Sequence, residues 1–369
     1  MLNKDHKIAT LFGGWNKERE VSIASGEGVH NSLIKMGYNS IKIDVDKNIF
    51  TKLTEIKPDL VFNAMHGTFG EDGRMQALLD LLEIKYTHSG VEACAVCMDK
   101  ILTRKICNDS GAETAEYCII KKNQNQLNQQ KLVSLGKPFV IKPINEGSSV
   151  GVEIILDNQN FDLENYQWQF GNEMLVEKYI AGQEIQVAVF DIINLDNEFS
   201  QKLFTAFCQI RQKYSPSTNA SIEDLKTEFL SKKSIALGAI EIRPKHLFYD
   251  YECKYTAGMT EYIMPAEISG KKYLEILAIA EKCYEATKCR GLARIDFILN
   301  NKNNGNNKFY LLEINTLPGF TPTSLVPKIA KYYNISFDEI VKLLKSEGYT
   351  DAFAVGGDGT VNQVAKNIL

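Results

Sequence analysis

Short apolar runs of strand character alternate with amphipathic stretches of helical period over the first hundred residues, the order expected of a parallel sheet joined by crossover helices. The strands are predicted at Lys7 to Gly14, Ser40 to Val45 and Asp59 to Met65. Helices are predicted at Glu18 to Met36, Gly73 to Ile84 and Val91 to Asn108, the last one continuous until Ser110-Gly111 stops it. The β-rich runs Tyr117 to Lys121, Pro138 to Ile141, Gly151 to Ile155 and Met174 to Ile180 are separated by polar helical stretches, which predicts a small α+β unit. From Glu184 a larger mixed unit follows: a strand at Ile235 to Ile242, a helix at Lys271 to Thr287, and strands at Leu292 to Leu299 and Lys308 to Ile314. The Asn/Gly cluster Asn300 to Asn307 between the last two has hairpin-turn chemistry. The expected fold class is thus α/β followed by α+β, with units at 1–99, 100–183 and 184–348 and an extra tail at 349–369.

Composition narrows the function classes. With 44% hydrophobic and 24% charged residues, disorder throughout is excluded. A net charge of −4 and a pI near 5.9 weigh against nucleic acid as a partner and favour a small ligand. No apolar run approaches bilayer length, and the polar start Met1 to Lys7 leads into no signal-type core, so a cytoplasmic protein without a membrane partner is expected. The eight cysteines then stay as thiols, and the pair Cys94 and Cys97 reads as the buried face of a helix.

Five patterns carry candidate chemistry. Gly13-Gly14 turns from a strand into the helix that starts with Glu18, where backbone amides can approach an anionic or zwitterionic ligand, although such turns are more often packing features. His66-Gly67 and Glu71-Asp72-Gly73 lie at another strand end, where ligands gather in open α/β sheets; a lone histidine there is more often structural. Lys142 at a strand end, followed by the small-residue loop Glu146 to Gly151 with the hydroxyls of Ser148 and Ser149, suits a nucleotide's phosphates, and Lys100 offers a second cation. Glu177 to Ile180, then Glu184, can present backbone groups to an adenine edge and a carboxylate to a ribose. Finally, Arg294-Ile-Asp296 and Glu313-Ile-Asn315 occupy neighbouring strands. Residues two apart share a face, so Asp296, Glu313 and Asn315 can converge as oxygen ligands for a hard cation; a solvated acidic face is the alternative, and the otherwise apolar strands favour the cation.

In this order, together with Met98-Asp-Lys100, Tyr249 to Tyr255 and Leu312 to Gly319, these motifs resemble the D-alanine:D-alanine ligases of the ATP-grasp superfamily over about residues 7–345. The resemblance implies a three-domain ATP-grasp fold with an N-terminal parallel α/β domain. It also implies ATP-dependent joining of two D-alanine molecules through an acylphosphate, for peptidoglycan precursors; the alternatives are an ATP-grasp ligase of another substrate, such as D-lactate or another dipeptide, and a nucleotide-binding protein whose catalysis the extra segments impair. By resemblance, Lys100, Lys142 and Ser149 hold phosphates, and Glu177, Lys178, Ile180 and Glu184 hold the adenosine. Asp296, Glu313 and Asn315 hold two magnesium ions, with manganese able to substitute. His66 lies beside the substrates, and Glu18 fixes the first D-alanine's ammonium, linked through Ser148 to Tyr255 on a mobile loop. Arg294 and the Gly319 amide resemble oxyanion donors, and Ser324 with Leu325 the carboxylate site of the second D-alanine. Tyr255 suggests D-alanine over D-lactate there, and the family suggests a homodimer.

Two segments depart from that pattern. Residues 191–233 fill a place where a tight turn would join two strands, as a helical protrusion, a partner site or a disturbance of folding. The tail holds Gly356 to Thr360, which resembles the G-G-D-G-T loop of diacylglycerol, sphingosine and NAD kinases but lacks their surrounding sheet and second domain; a docked or disordered tail is expected.

Overall fold

The structure, a computed structural model, describes residues 4–192, 198–215, 220–256, 258–302 and 305–346, without the side chains of Tyr251, Tyr255 and Ser346. The kinase-like tail at 349–369 lies outside the described residues.

Strands β1 (Lys7–Gly13), β2 (Asn39–Val45), β3 (Leu60–Asn63) and β4 (Lys85–Tyr86) form a parallel sheet in the order β2-β1-β3-β4. Ile8, Ala9 and Leu11 are buried on both faces of β1, as a strand covered on both sides requires. Between the strands run helices Arg19–Lys35, Ile49–Ile56 and Arg74–Leu81; the second, anchored only by buried Ile49 and Leu53, has too short a period to stand out in sequence. The continuous helix expected over Val91 to Asn108 is instead two, Val91–Met98 and Lys100–Asp109. Asp99 breaks it: its backbone is extended, and its carboxylate accepts from the amides of Ile101 (2.8 Å) and Leu102 (3.0 Å), an N-cap in mid-run. Lys100 thereby opens a helix. Cys94 and Cys97 are buried thiols on the first of the pair.

Strands β5 (Tyr117–Lys121), β6 (Phe139–Pro143), β7 (Glu153–Ile155) and β8 (Glu173–Lys178) make a second, antiparallel sheet in the order β5-β8-β6-β7. Its small core gathers Ile120, Phe139, Ile141, Met174 and Val176 with Leu132 of the helix Asn125–Leu135. The third sheet, β9 (Gln183–Asp191), β10 (Ser234–Pro244), β11 (Thr260–Ile263), β12 (Leu292–Leu299) and β13 (Phe309–Asn315), is antiparallel in the order β11-β10-β9-β12-β13. Its core continues into Ile8, Leu33 and Phe62 of the first unit.

Asp191 pairs with Ser234, so the unmatched segment is an excursion from a hairpin. It folds as helices Glu198–Tyr214 and Ile222–Leu230, with Phe199, Leu203, Phe207 and Ile210, at spacings of four, four and three, buried beside Leu225 and Phe229. These side chains join the core of the third sheet, and Arg211 pairs with Glu228 between the two helices. The segment is a helical pair seated on the sheet.

Candidate active site

The turn after β1 sets the first group. Gly13 has φ +83°, and a Cβ there would lie 2.1 Å from Asp44 Oδ1, so glycine is required to turn the chain toward Glu18. Asn16 donates to the carbonyls of His66 (2.7 Å) and Thr68 (2.8 Å), tying the β1 and β3 loops together. Gly67, at φ +68°, sits so near that a Cβ would be 2.2 Å from Glu18 Oε2. Glu18 is buried and accepts from the Ser148 hydroxyl, which comes from the second sheet's loop. Ser148 and Ser149 are both left-handed (φ 48° and 58°), and this bend lets adjacent hydroxyls serve different cavities. Glu71 accepts from the Gly67 amide at 3.0 Å; burial and then the Glu18 charge push its carboxyl up. Burial raises Glu18 too, against the Ser148 bond and the Lys254 charge. Two carboxyls under such pressure favour a cationic guest.

His66 lies in the same cavity but is committed to a neighbouring loop. Its Nδ1 meets the Leu317 carbonyl at 3.0 Å and its Nε2 the Ser25 hydroxyl at 2.8 Å; a carbonyl only accepts, so Nδ1 carries the proton and Ser25 donates to Nε2. Ser25 Oγ in turn accepts from the Phe320 amide (3.1 Å), so this chain fixes the turn that bears Gly319. Burial lowers His66 to about 4 and His88 to about 3, leaving both neutral. The unfolded chain takes up these protons first as pH falls below 6.5, so their contribution is complete above 6.5 and is lost below it, by about 1.4 kcal/mol per pH unit for each. Thermal melts from pH 7.5 to 4.5 should show this fall, shallower in His88→Phe, which gives up the 2.9 Å contact of Nδ1 with Thr87 while Nε2 has no partner among the described residues; identical profiles would contradict it.

The acidic hairpin stands at the centre. Asp296 on β12 faces Glu313 on β13 directly, and Arg294 faces Asn315, with a bulge just beyond that aims this end of the strands. Arg294 holds Asp296 by two bonds, Nε to Oδ1 at 2.8 Å and Nη2 to Oδ2 at 2.9 Å. Opposed like charges are unfavourable, and cations offset them here. Burial would raise Glu313, but the Lys100, Lys254 and Arg294 charges hold it at about 2. Lys100 Nζ lies 3.9 Å from Glu313 and donates to the Glu146 carbonyl at 2.5 Å. Lys142 Nζ pairs with Glu177 Oε1 at 2.5 Å, and Glu177 also takes the buried Arg104; burial with the nearby Arg104 and Lys100 charges drives Lys142 well down. Lys254 donates to Ser149 Oγ at 2.9 Å.

These groups line two adjoining cavities. One gathers Lys100, Lys142, Ser149, Glu177, Lys178, Ile180, Glu184 and Asp296. The other gathers Glu18, His66, Ser148, Arg294, Asn315, Gly319, Ser324 and Leu325. Glu313, Tyr249 and Lys254 belong to both. Lys178 turns its ammonium away, onto the carbonyls of Leu135, Gly136 and Lys137, so only its backbone can serve a nucleotide. Burial and the Asp296 charge raise Glu184 to about 7. Tyr255 ends the short helix Tyr251–Tyr255, but its side chain lies outside what is described. Sequence reasoning passed over Lys254, although it quoted the motif Tyr249 to Tyr255; its cationic partner role was legible only once the loop was seen over the hairpin.

The donor set fits a magnesium ion: two carboxylates and an amide, all oxygen ligands, beside three ammonium groups that ask for phosphate. Asn315 Nδ2 faces Asp296 (3.3 Å) and Glu313 (3.4 Å), and a half-turn of the amide puts its oxygen in that place. A second cluster, His246, Asp250 and Cys253, is knit internally: Asp250 caps the Cys253 amide (2.8 Å) and takes His246 Nδ1 (2.6 Å).

Three sheets in this order, with lysines from three segments converging on an acidic hairpin, define the ATP-grasp class. Residues 48–89 match the family described as D-ala D-ala ligase N-terminus, and 106–228 and 218–345 its C-terminus. The chain belongs to the D-alanine–D-alanine ligase family. The two C-terminal matches overlap within the helical pair, the place where the chain departs from the family pattern. The D-alanine–D-alanine ligase of Rickettsia bellii (strain RML369-C) is 40% identical over 344 residues, 93% of this chain and 92% of that one. That of Rickettsia canadensis (strain McKiel) is 39% identical over 336 residues, 91% and 81%. Among solved structures, the D-alanine–D-alanine ligase of Bacillus anthracis superposes with a TM-score of 0.69 at 26% identity, covering 98% of this chain and 99% of that one. The VanG D-Ala:D-Ser ligase of Enterococcus faecalis gives 0.69 at 24%, covering 92% and 98%.

Proposed function

We propose that this protein ligates two D-alanine molecules to D-alanyl-D-alanine, forming ADP and phosphate through an acylphosphate. The observation that carries the reading is Glu313, which belongs at once to the cation-rich cavity and to the cavity holding Glu18 and Ser324. A phosphoryl group bound in the first reaches a carboxylate bound in the second without crossing solvent. Lys100, Lys142 and Lys254 neutralise phosphate charge, while Ile180, the Lys178 backbone, Glu177 and Glu184 receive the adenosine. Magnesium, held by Asp296, Glu313 and Asn315, would neutralise the phosphate oxygens during transfer.

Glu18 holds the ammonium of the first D-alanine, with Ser148 fixing the carboxylate that does so. A carboxylate oxygen of that molecule attacks the γ-phosphorus and ADP leaves. The neutral amine of the second D-alanine then attacks the acyl carbon, the oxyanion rests against Arg294 and the Gly319 amide, and phosphate departs as the amine loses its proton. Ser324 and Leu325 receive the second carboxylate. Tyr255 favours D-alanine as acceptor, and His66 acts through the turn of Gly319. The same reading divides the chain at about 99 and 183 and takes it as a cytoplasmic homodimer of the peptidoglycan precursor route; among the described residues no helix is long and apolar enough to cross a membrane.

D-alanine labelled with ¹⁸O in its carboxylate tests the acylphosphate. One label should appear in the released phosphate for each dipeptide formed; phosphate free of label would rule the step out.

A further inference from the structure

The cavity that holds Ser324 contains a cation with no assigned role. Lys328 sits one turn beyond Ser324 in the helix Leu325–Tyr332, its amide donating to the Ser324 carbonyl at 3.0 Å. Its ammonium lies 3.7 Å from the centroid of the Tyr262 ring, and the Tyr262 hydroxyl is 3.1 Å from that of Tyr249. Among the described residues no carboxylate lies within ion-pair distance of Lys328, although the cavity is also lined by Glu18, Glu20, Glu71 and Glu313. The other two cations facing it are committed, Arg294 to Asp296 and Lys254 to Ser149. Lys328 is half-buried, and that burial lowers its basicity. A cation withdrawn from water and given only an aromatic face gains from an anionic guest. The amino end of its own helix favours the same charge, and the Ser324 hydroxyl beside it, which accepts from the Thr321 amide at 2.9 Å and lies 2.8 Å from the Thr321 hydroxyl, can turn its proton to an anionic guest when Thr321 donates.

We propose that Lys328 is a specificity-determining residue for the acceptor: its ammonium, with Ser324 and the helix amino terminus, selects a second substrate that carries a free carboxylate. The assignment rests on the ligase reading above and adds to it the group that reads the acceptor's charge. Tyr262 holds the ammonium over the cavity, so the two act together.

The test compares the unaltered chain with Lys328→Met and Lys328→Arg, using D-alanine and D-alaninamide as acceptors at saturating ATP. D-alaninamide keeps the nucleophilic amine and lacks the carboxylate. In Lys328→Met the KM for the second D-alanine should rise about tenfold, with kcat and the KM for ATP and for the first D-alanine within about twofold. The preference for D-alanine over D-alaninamide, as a ratio of kcat/KM, should fall by about the same factor. Lys328→Arg should recover most of both. Thermal melting checks that Lys328→Met is folded, and Lys328→Gln replaces it if it is not. An unchanged preference ratio, or a loss confined to kcat, overturns the assignment while leaving the ligase reading in place. Absence of D-alanine-dependent ADP release from the unaltered chain overturns the ligase reading, and this assignment with it.

Discussion

Replacing Glu313 by Gln is expected to lower turnover by at least about a hundredfold, the order lost when a single group that stabilises developing charge is removed. Of the three proposed metal-binding residues Glu313 alone lines both cavities, and its carboxylate is kept ionised, at about 2, by the Lys100, Lys254 and Arg294 charges against the opposing effect of burial. Gln preserves the shape of β13 and its pairing with β12, so the variant should unfold in one cooperative transition. The loss should show as a fall in kcat under saturating ATP and D-alanine. Wild-type turnover at ordinary magnesium would remove Glu313 from the metal site.

Arg294→Met should damage stability as well as catalysis. It strips the buried Asp296 of its two-bond partner and leaves that carboxylate facing Glu313 across the ladder. Breaking a buried pair from one side costs about 3–5 kcal/mol because the remaining charge is uncompensated. Adding Asp296→Asn should restore part of that stability while activity stays lost, since the double variant lacks both the proposed oxyanion donor and a proposed metal ligand. Urea unfolding and ADP release on the single and double variants separate the two effects. A single variant as stable as the parent, or an active one, would contradict the account.

Most of the frame was readable from the chain because its elements are long and their periods clear. β12 runs over Leu292–Leu299 as its apolar pattern predicts, and the convergence of Asp296 and Glu313 follows from strand geometry once the two strands pair. The break at Asp99 escaped notice because Val91 to Asn108 keeps a helical pattern across it; only the cap geometry shows that the carboxylate starts a second helix. The role of His66 was equally hidden. Sequence places an imidazole at a strand end, but its two partners, Ser25 and Leu317, are 41 and 251 residues away along the chain. Lys254 and Lys328 are single lysines on apolar-polar backgrounds, and their meaning comes from which oxygen or ring faces them. The segment bearing the helices Glu198–Tyr214 and Ile222–Leu230 read in sequence only as mixed helical character, and whether it disturbs or completes the fold depended on where Phe207 and Phe229 are buried.

The central claim is that nucleotide turnover is coupled to joining two D-alanine molecules. The purified 369-residue chain with ATP and magnesium, assayed for ADP and for dipeptide with and without D-alanine, tests it most directly. The account predicts ADP release that depends on D-alanine and one D-alanyl-D-alanine formed for each ADP. ADP release independent of D-alanine, or with no dipeptide formed, would contradict it.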